Sequence, residues 1–109
     1  MKNNIIDLNN YLFQNALIFT GRDRGKQVRK DSHINEIEAS CSDVIIILPK
    51  DLITLSPSFL EEFFSDVVKK LGKDTFLKKF KFDNPGGYKI EKNLETAIKR
   101  ILRTGNALK

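Results

Sequence analysis

The longest unbroken apolar run in the chain is Val44-Ile45-Ile46-Ile47-Leu48, with four of its five residues β-branched. A run without alternation predicts a central strand of an α/β sheet, covered on both faces. Downstream, Phe59, Leu60, Phe63, Phe64, Val67, Val68 and Leu71 recur at helical spacing opposite Glu61, Glu62, Asp66, Lys69 and Lys70. That pattern predicts one amphipathic helix, stopped by Gly72. Its start can be built in two ways. Ser56 can be the N-cap with Pro57 in the first helical position, where a missing N–H is harmless. Alternatively Ser58 caps, and Glu61 completes a capping box. Acids in the first turns and lysines near the end suit the helix dipole.

The other elements are read in the same way. Ile5 to Leu8 reads as a short strand, and Ala16 to Thr20 as a second that ends at Gly21. An Asn9-Asn10 turn between them would make an N-terminal hairpin. From Arg22 to about Ser40 the apolar positions are Val28, Ile34, Ile37 and Ala39, a narrow stripe for one helix. Leu52 to Leu55 bridges to the helix start. Phe76 and Leu77 read as a short turn. Lys78 to Asp83 alternates lysine with phenylalanine and reads as a strand with one wet face. Asn84-Pro85-Gly86-Gly87 is a loop. Ile90, Leu94, Ala97, Ile98, Ile101 and Leu102 then space out a last helix ending near Thr104-Gly105, with frayed residues after it. Strands alternating with helices define an α/β class, and a length of 109 residues suits a single domain over residues 1–109.

Composition adds little to the fold but narrows the function. No run approaches the ~18–20 apolar residues of a membrane span, and the start carries no signal-peptide pattern. One cysteine, Cys41, makes no internal disulfide, so a cytoplasmic location is expected. The net charge of +5 is sharply divided. Residues 1–30 carry six positive and two negative side chains, residues 31–68 one and eight, and residues 69–109 twelve and four. Such blocks suit oriented contacts with a charged partner, or else lysines that solvate helix faces.

Candidate chemistry is sparse. His33 and Cys41 lack the companions that structural zinc needs, so no metal and no cofactor are expected. With one histidine, no local motif sets a base beside Ser56 or Ser58, and Glu61 and Glu62 are adjacent on a helix and diverge by about 100°. The expectation is a chain without catalytic residues. Gly21, Arg22, Arg24, Gly25, Lys26, Arg29 and Lys30 lie between a strand and a helix, where a phosphate loop sits. Neither a P-loop nor a GxGxxG spacing is present. The arginines suit a phosphate or the acidic side chains of a partner, and a basic helix start opposes the dipole and so asks for compensation. Lys69, Lys70, Lys73, Lys78, Lys79 and Lys81 make a basic patch, but Phe80 and Phe82 alternate away from them, which counts against nucleic acid.

These residues also carry a resemblance. Val44 to Leu48, then Ile53-Thr54-Leu55-Ser56-Pro57-Ser58-Phe59-Leu60-Glu61-Glu62, Leu71-Gly72 and Phe80-Lys81-Phe82-Asp83-Asn84 resemble the STAS-like domains grouped as a domain of unknown function. Gly21, Arg22, Gly25 and Arg29 upstream are similar to the same pattern, and the likeness spans about residues 18–103. It implies a mixed sheet of about four strands packed with about three helices, similar to bacterial anti-sigma-factor antagonists. Those are non-enzymatic partners of histidine-kinase-like ATP-binding proteins, and some are switched by serine phosphorylation at the helix after the central strand. The corresponding region here is Ser56, Ser58, Glu61 and Glu62. The acid-serine-serine-glycine signature is missing: Ser56 replaces the acid, Pro57 the acceptor serine and Phe59 the glycine, which leaves Ser58 as the nearest acceptor.

Overall fold

The apolar run at residues 44–48 becomes the middle strand of a small parallel sheet. The computed structural model describes residues 4–12 and 17–106, with side chains to Arg103. Along the chain come β1 (Ile5–Asp7), a 3₁₀ turn (Leu8–Tyr11), β2 (Ile18–Phe19), α1 (Arg22–Ser32), α2 (Ile34–Ser40) and β3 (Val44–Ile47). They are followed by β4 (Thr54–Leu55), α3 (Pro57–Phe63), α4 (Ser65–Leu71), α5 (Lys73–Lys79), β5 (Phe80–Asp83) and α6 (Glu91–Asn106). Strands β1, β3 and β5 form one parallel sheet in that order, with Ile5 beside Ile45 and Ile45 beside Lys81. A separate parallel pair joins β2 to β4, with Phe19 beside Leu55.

The α/β class is as expected; the element counts are not. The described residues hold five strands in two parallel sheets and six α-helices, where a mixed sheet of about four strands and about three helices was expected. The predicted helix over Arg22–Ser40 is broken at His33, which takes a left-handed conformation at φ 58°. Of its predicted apolar positions Val28 and Ile34 are buried and Ile37 packs against the core, but Ala39 is exposed and Glu38 is buried in its place. The helix expected to reach Gly72 is interrupted at Phe64, although all six apolar side chains from Phe59 to Val68 are buried. Lys73 to Lys79 is helical, so the last strand begins at Phe80. No hairpin joins β1 to β2. Asp7 instead accepts from the Asn9 N–H at 2.9 Å and starts the 3₁₀ turn, and β2 pairs with β4. Ala16 and the residues after Asn106 lie outside the described residues.

One expectation about the central strand is also corrected. Ile6, Val44, Ile46 and Phe80 are buried, but the alternate residues Ile45 and Ile47 are only half-buried, and their neighbours Ile5 and Lys81 are exposed. The order β1-β3-β5 advances in one direction without reversing. Right-handed crossovers that advance in one direction set their helices on the same face. The sheet is therefore two-faced, with a core side and a side only partly covered. Such an order also lacks the reversal that opens a ligand crevice in doubly wound folds.

Candidate functional site

The two parallel strands β2 and β4 end side by side and launch two neighbouring helices. After β2, Gly21 takes φ 90°, a conformation that suits glycine, and its carbonyl accepts the first helical bond of α1 from the Gly25 N–H at 3.2 Å. After β4, Ser56 donates its N–H to the Phe19 carbonyl at 2.9 Å, and its Oγ accepts from the Phe59 N–H at 3.2 Å. Ser56 is thus the N-cap of α3 and Pro57 its first residue. Ser58 sits half-buried in the first turn, and the alternative capping box with Glu61 does not form.

Helices α1 and α3 then cross at Gly25. A Cβ built there would stand 2.5 Å from the Phe59 carbonyl oxygen and 2.8 Å from the Glu62 Cβ. Gly25 thus serves close helix packing. Around this crossing the two predicted charge clusters meet. Arg22 Nη1 lies 2.9 Å from Glu61 and 3.2 Å from Glu62. Arg29 donates from Nη1 to the Glu62 backbone carbonyl at 2.7 Å and lies 3.8 Å from its carboxylate. Arg29 Nε also approaches Asp66 at 3.9 Å, and Arg100 approaches Glu61 at 3.9 Å. The hydrogen bond that Arg22 donates to Glu61 raises the Arg22 pKa above its ordinary value, with the charges of both glutamates adding to it. The compensation sought for a basic helix start is therefore intramolecular: the acidic flank of α3 lies against it.

Arg24 points elsewhere. With Thr20, Gly21, Asp23 and Gln27 it lines a recess of about 570 Å³ at the start of α1, a helix without a side-chain N-cap. A neighbouring hollow adds Tyr11 and Asp31. Burial pushes the Tyr11 hydroxyl pKa up, helped by Asp31 and Asp7.

Three features were not predicted. Glu38, 3% exposed, accepts from Lys70 at 2.8 Å and from Lys79 at 2.7 Å, while Lys79 also donates to the Glu38 carbonyl at 2.8 Å. Burial raises the Glu38 pKa, but the two lysine hydrogen bonds and their charges outweigh it and hold the carboxyl below its ordinary range. The only local sign was an acid one position after Ile37, on the side of the helix that packs. Tyr88 and Asn93 close the outer edge of β4: Tyr88 Oη accepts the Leu55 N–H at 3.0 Å, and Asn93 donates to the Leu55 carbonyl at 3.1 Å. Lastly, Ile18 of β2 and Ile53, the residue before β4, are 44% and 62% exposed; Ile18 pairs with Thr54, and the Ile53 N–H bonds to the Leu17 carbonyl at 2.8 Å.

Among the described residues no three His, Cys, Asp or Glu side chains group as metal ligands, and His33 pairs with Glu36 at 2.7 Å. Among the described residues no helix is long and apolar enough to cross a membrane. The chain matches no protein-family model, no curated protein and no solved structure.

Proposed function

We propose that this chain is a non-enzymatic, STAS-like interaction module of bacterial regulation, acting by docking a protein partner of the histidine-kinase-like ATP-binding kind. The observation that supports this reading most is the exposure of Ile53, at the entry to β4 and just ahead of the Ser56-capped start of α3, with Ile18 of β2 also exposed. Single exposed apolar residues are ordinary on a protein surface, but one as exposed as Ile53 at a strand entry offers an anchor that a partner can desolvate. The docking surface is accordingly Ile18, Ile53 and Ser58. Glu61 and Glu62 contribute by fixing α3 against α1, since their carboxylates are taken up by Arg22 and Arg29. Ser58, in the first turn of α3, is the candidate acceptor of a regulatory phosphate, since a charged group added to a docking surface opposes apolar contact.

The test is affinity capture from the native host with the wild type, Ile53→Asp and Ser58→Ala, together with intact mass. Recovery of an ATP-binding, kinase-like protein by the wild type and its loss with Ile53→Asp is the expected result. A partner captured equally by the Ile53→Asp variant would overturn the surface, and no partner of that kind would overturn the function. A phosphorylated form lost in Ser58→Ala adds the switch.

A second reading rests on the recess at the start of α1. Its uncapped N–H groups and Arg24 suit a small phospholigand or nucleotide. Asp23 in the same recess works against an anion, and Arg22 and Arg29 are committed to glutamates. Calorimetry with nucleotides and phosphosugars decides it: binding weakened by Arg24→Ala supports the site, and absence of heat removes it.

A further inference from the structure

A groove between α5 and α6 carries an arrangement of charge that matches itself when inverted. Leu94, Ile98 and Leu102 form its floor, and Lys73 and Leu77 of α5 form one wall. Leu77 is exposed, the one large apolar side chain of α5 left in solvent. The other wall is a single row of α6 residues four apart: Glu91, Glu95, Lys99 and Arg103. Residues at that spacing form a continuous ridge on a helix. The ridge is acidic over its first half and basic over its second. Glu95 pairs with Lys99 at 3.4 Å, a contact between exposed side chains that contributes little on its own. Glu91, Arg103 and Lys73 form no ion pair among the described residues.

We infer that this groove is an interface between two copies of this chain, related by a two-fold axis that crosses α6 at the level of Ala97. An antiparallel α6 pair with that axis sets Glu91 against Arg103 of the second copy and Glu95 against Lys99, each contact occurring twice. It also brings Leu77 of each copy toward the apolar floor of the other. Two-fold interfaces require this kind of self-complementarity, since the same patch meets itself. The reverse, parallel arrangement sets acid on acid and base on base, which selects the antiparallel register by repulsion as well as attraction. The inference is independent of the docking surface at Ile18 and Ile53, which lies on other elements.

The test is sedimentation equilibrium of the full chain, with two charge-reversed variants, Glu91→Lys/Glu95→Lys and Lys99→Glu/Arg103→Glu. All four side chains are exposed or at the groove rim, and far-UV circular dichroism checks that each variant keeps its helices. The wild type is expected to dimerise, more weakly as salt rises. Each variant alone should be monomeric, with a dissociation constant raised about 100-fold or more. A mixture of the two variants should associate again as a heterodimer, because an all-basic ridge then meets an all-acidic one. A monomeric wild type overturns the inference and leaves the groove open to some other occupant. A dimer that ignores both reversals overturns it as well, by placing the interface elsewhere.

Discussion

Gly25 of α1 lies so close to Phe59 of α3 that a single added methyl group would stand 2.5 Å from the Phe59 carbonyl oxygen. The contact is with backbone, so no side-chain rotation relieves it. Gly25 is also helical, where alanine is ordinarily favoured by about 1 kcal/mol. Two effects of opposite sign thus meet at one position, and steric overlap wins.

Gly25→Ala is therefore expected to destabilise the fold by about 1–3 kcal/mol net, the range for overpacking a close contact. Urea unfolding measures it. A stabilised Gly25→Ala protein would mean that α1 and α3 separate freely, and would remove the packing role given to this glycine.

At Glu38 the expectation is set by burial. Its carboxylate is 3% exposed, Lys79 is 19% exposed and Lys70 is 57% exposed. Breaking a buried pair leaves the other charge uncompensated, so Glu38→Ala should cost about 2–4 kcal/mol. Lys79→Met should cost clearly more than Lys70→Met, whose partner contact is largely in solvent. The double change Glu38→Leu/Lys79→Met should recover much of the loss, since it removes both buried charges together. Chemical denaturation of the set checks the order.

The same residue predicts a pH dependence. The lysines hold the folded Glu38 carboxyl below the ordinary value of 4.5. The unfolded chain binds the proton first as pH falls, so the stabilisation is fully present above that ordinary value. It is lost as pH drops through the lower, folded value. Urea midpoints measured downward from neutral pH should fall for the wild type, and Glu38→Gln should flatten part of that slope. An identical slope in both proteins would assign the acid loss to other carboxylates.

The fold was legible where a local pattern had a local cause. The run Val44 to Ile47, the serine-proline start at Ser56, the loop at Asn84 and the last helix all appear where the residues predict them. What failed was decided across the chain. His33 breaks a helix in a left-handed conformation without a glycine to announce it. β2 falls within the strand read over Ala16 to Thr20, but its partner β4 is two residues long, too short for any alternation to show. The charge blocks were visible as blocks, but not that Arg22 and Arg29 meet Glu62, 40 and 33 residues on in the same chain. Glu38 reads as an ordinary surface acid until α4 and α5 bring Lys70 and Lys79 to it.

The two serines at the start of α3 should separate in a thermal melt. Ser56 Oγ accepts the Phe59 N–H, so Ser56→Ala leaves a helix-end donor without its partner and should cost about 1 kcal/mol. Ser58 lies within the first turn without a capping bond, and Ser58→Ala should stay within about 0.5 kcal/mol of the wild type. This difference also makes Ser58→Ala the cleaner probe of partner binding, because its effect on capture would not be confounded by unfolding.

Tyr88 gives the sharpest single-atom prediction. Its Oη accepts the N–H of Leu55, a residue with no exposure at all, and lies 3.4 Å from Asn93 Nδ2. Asn84 holds the Tyr88 backbone, accepting its N–H at 3.0 Å and donating to its carbonyl. Tyr88→Phe keeps the ring and the loop but leaves the Leu55 N–H buried and unpaired, which costs about 1–3 kcal/mol. The loss should be local as well as global. β4 carries Ile53 at its entry and Ser56 at its exit, so hydrogen exchange of the Ile53, Leu55 and Ser56 amides should quicken in Tyr88→Phe more than that of Ile46 in the central strand. Uniform quickening across both sheets would show that the Tyr88 hydroxyl stabilises the whole fold without any particular hold on the β2–β4 pair.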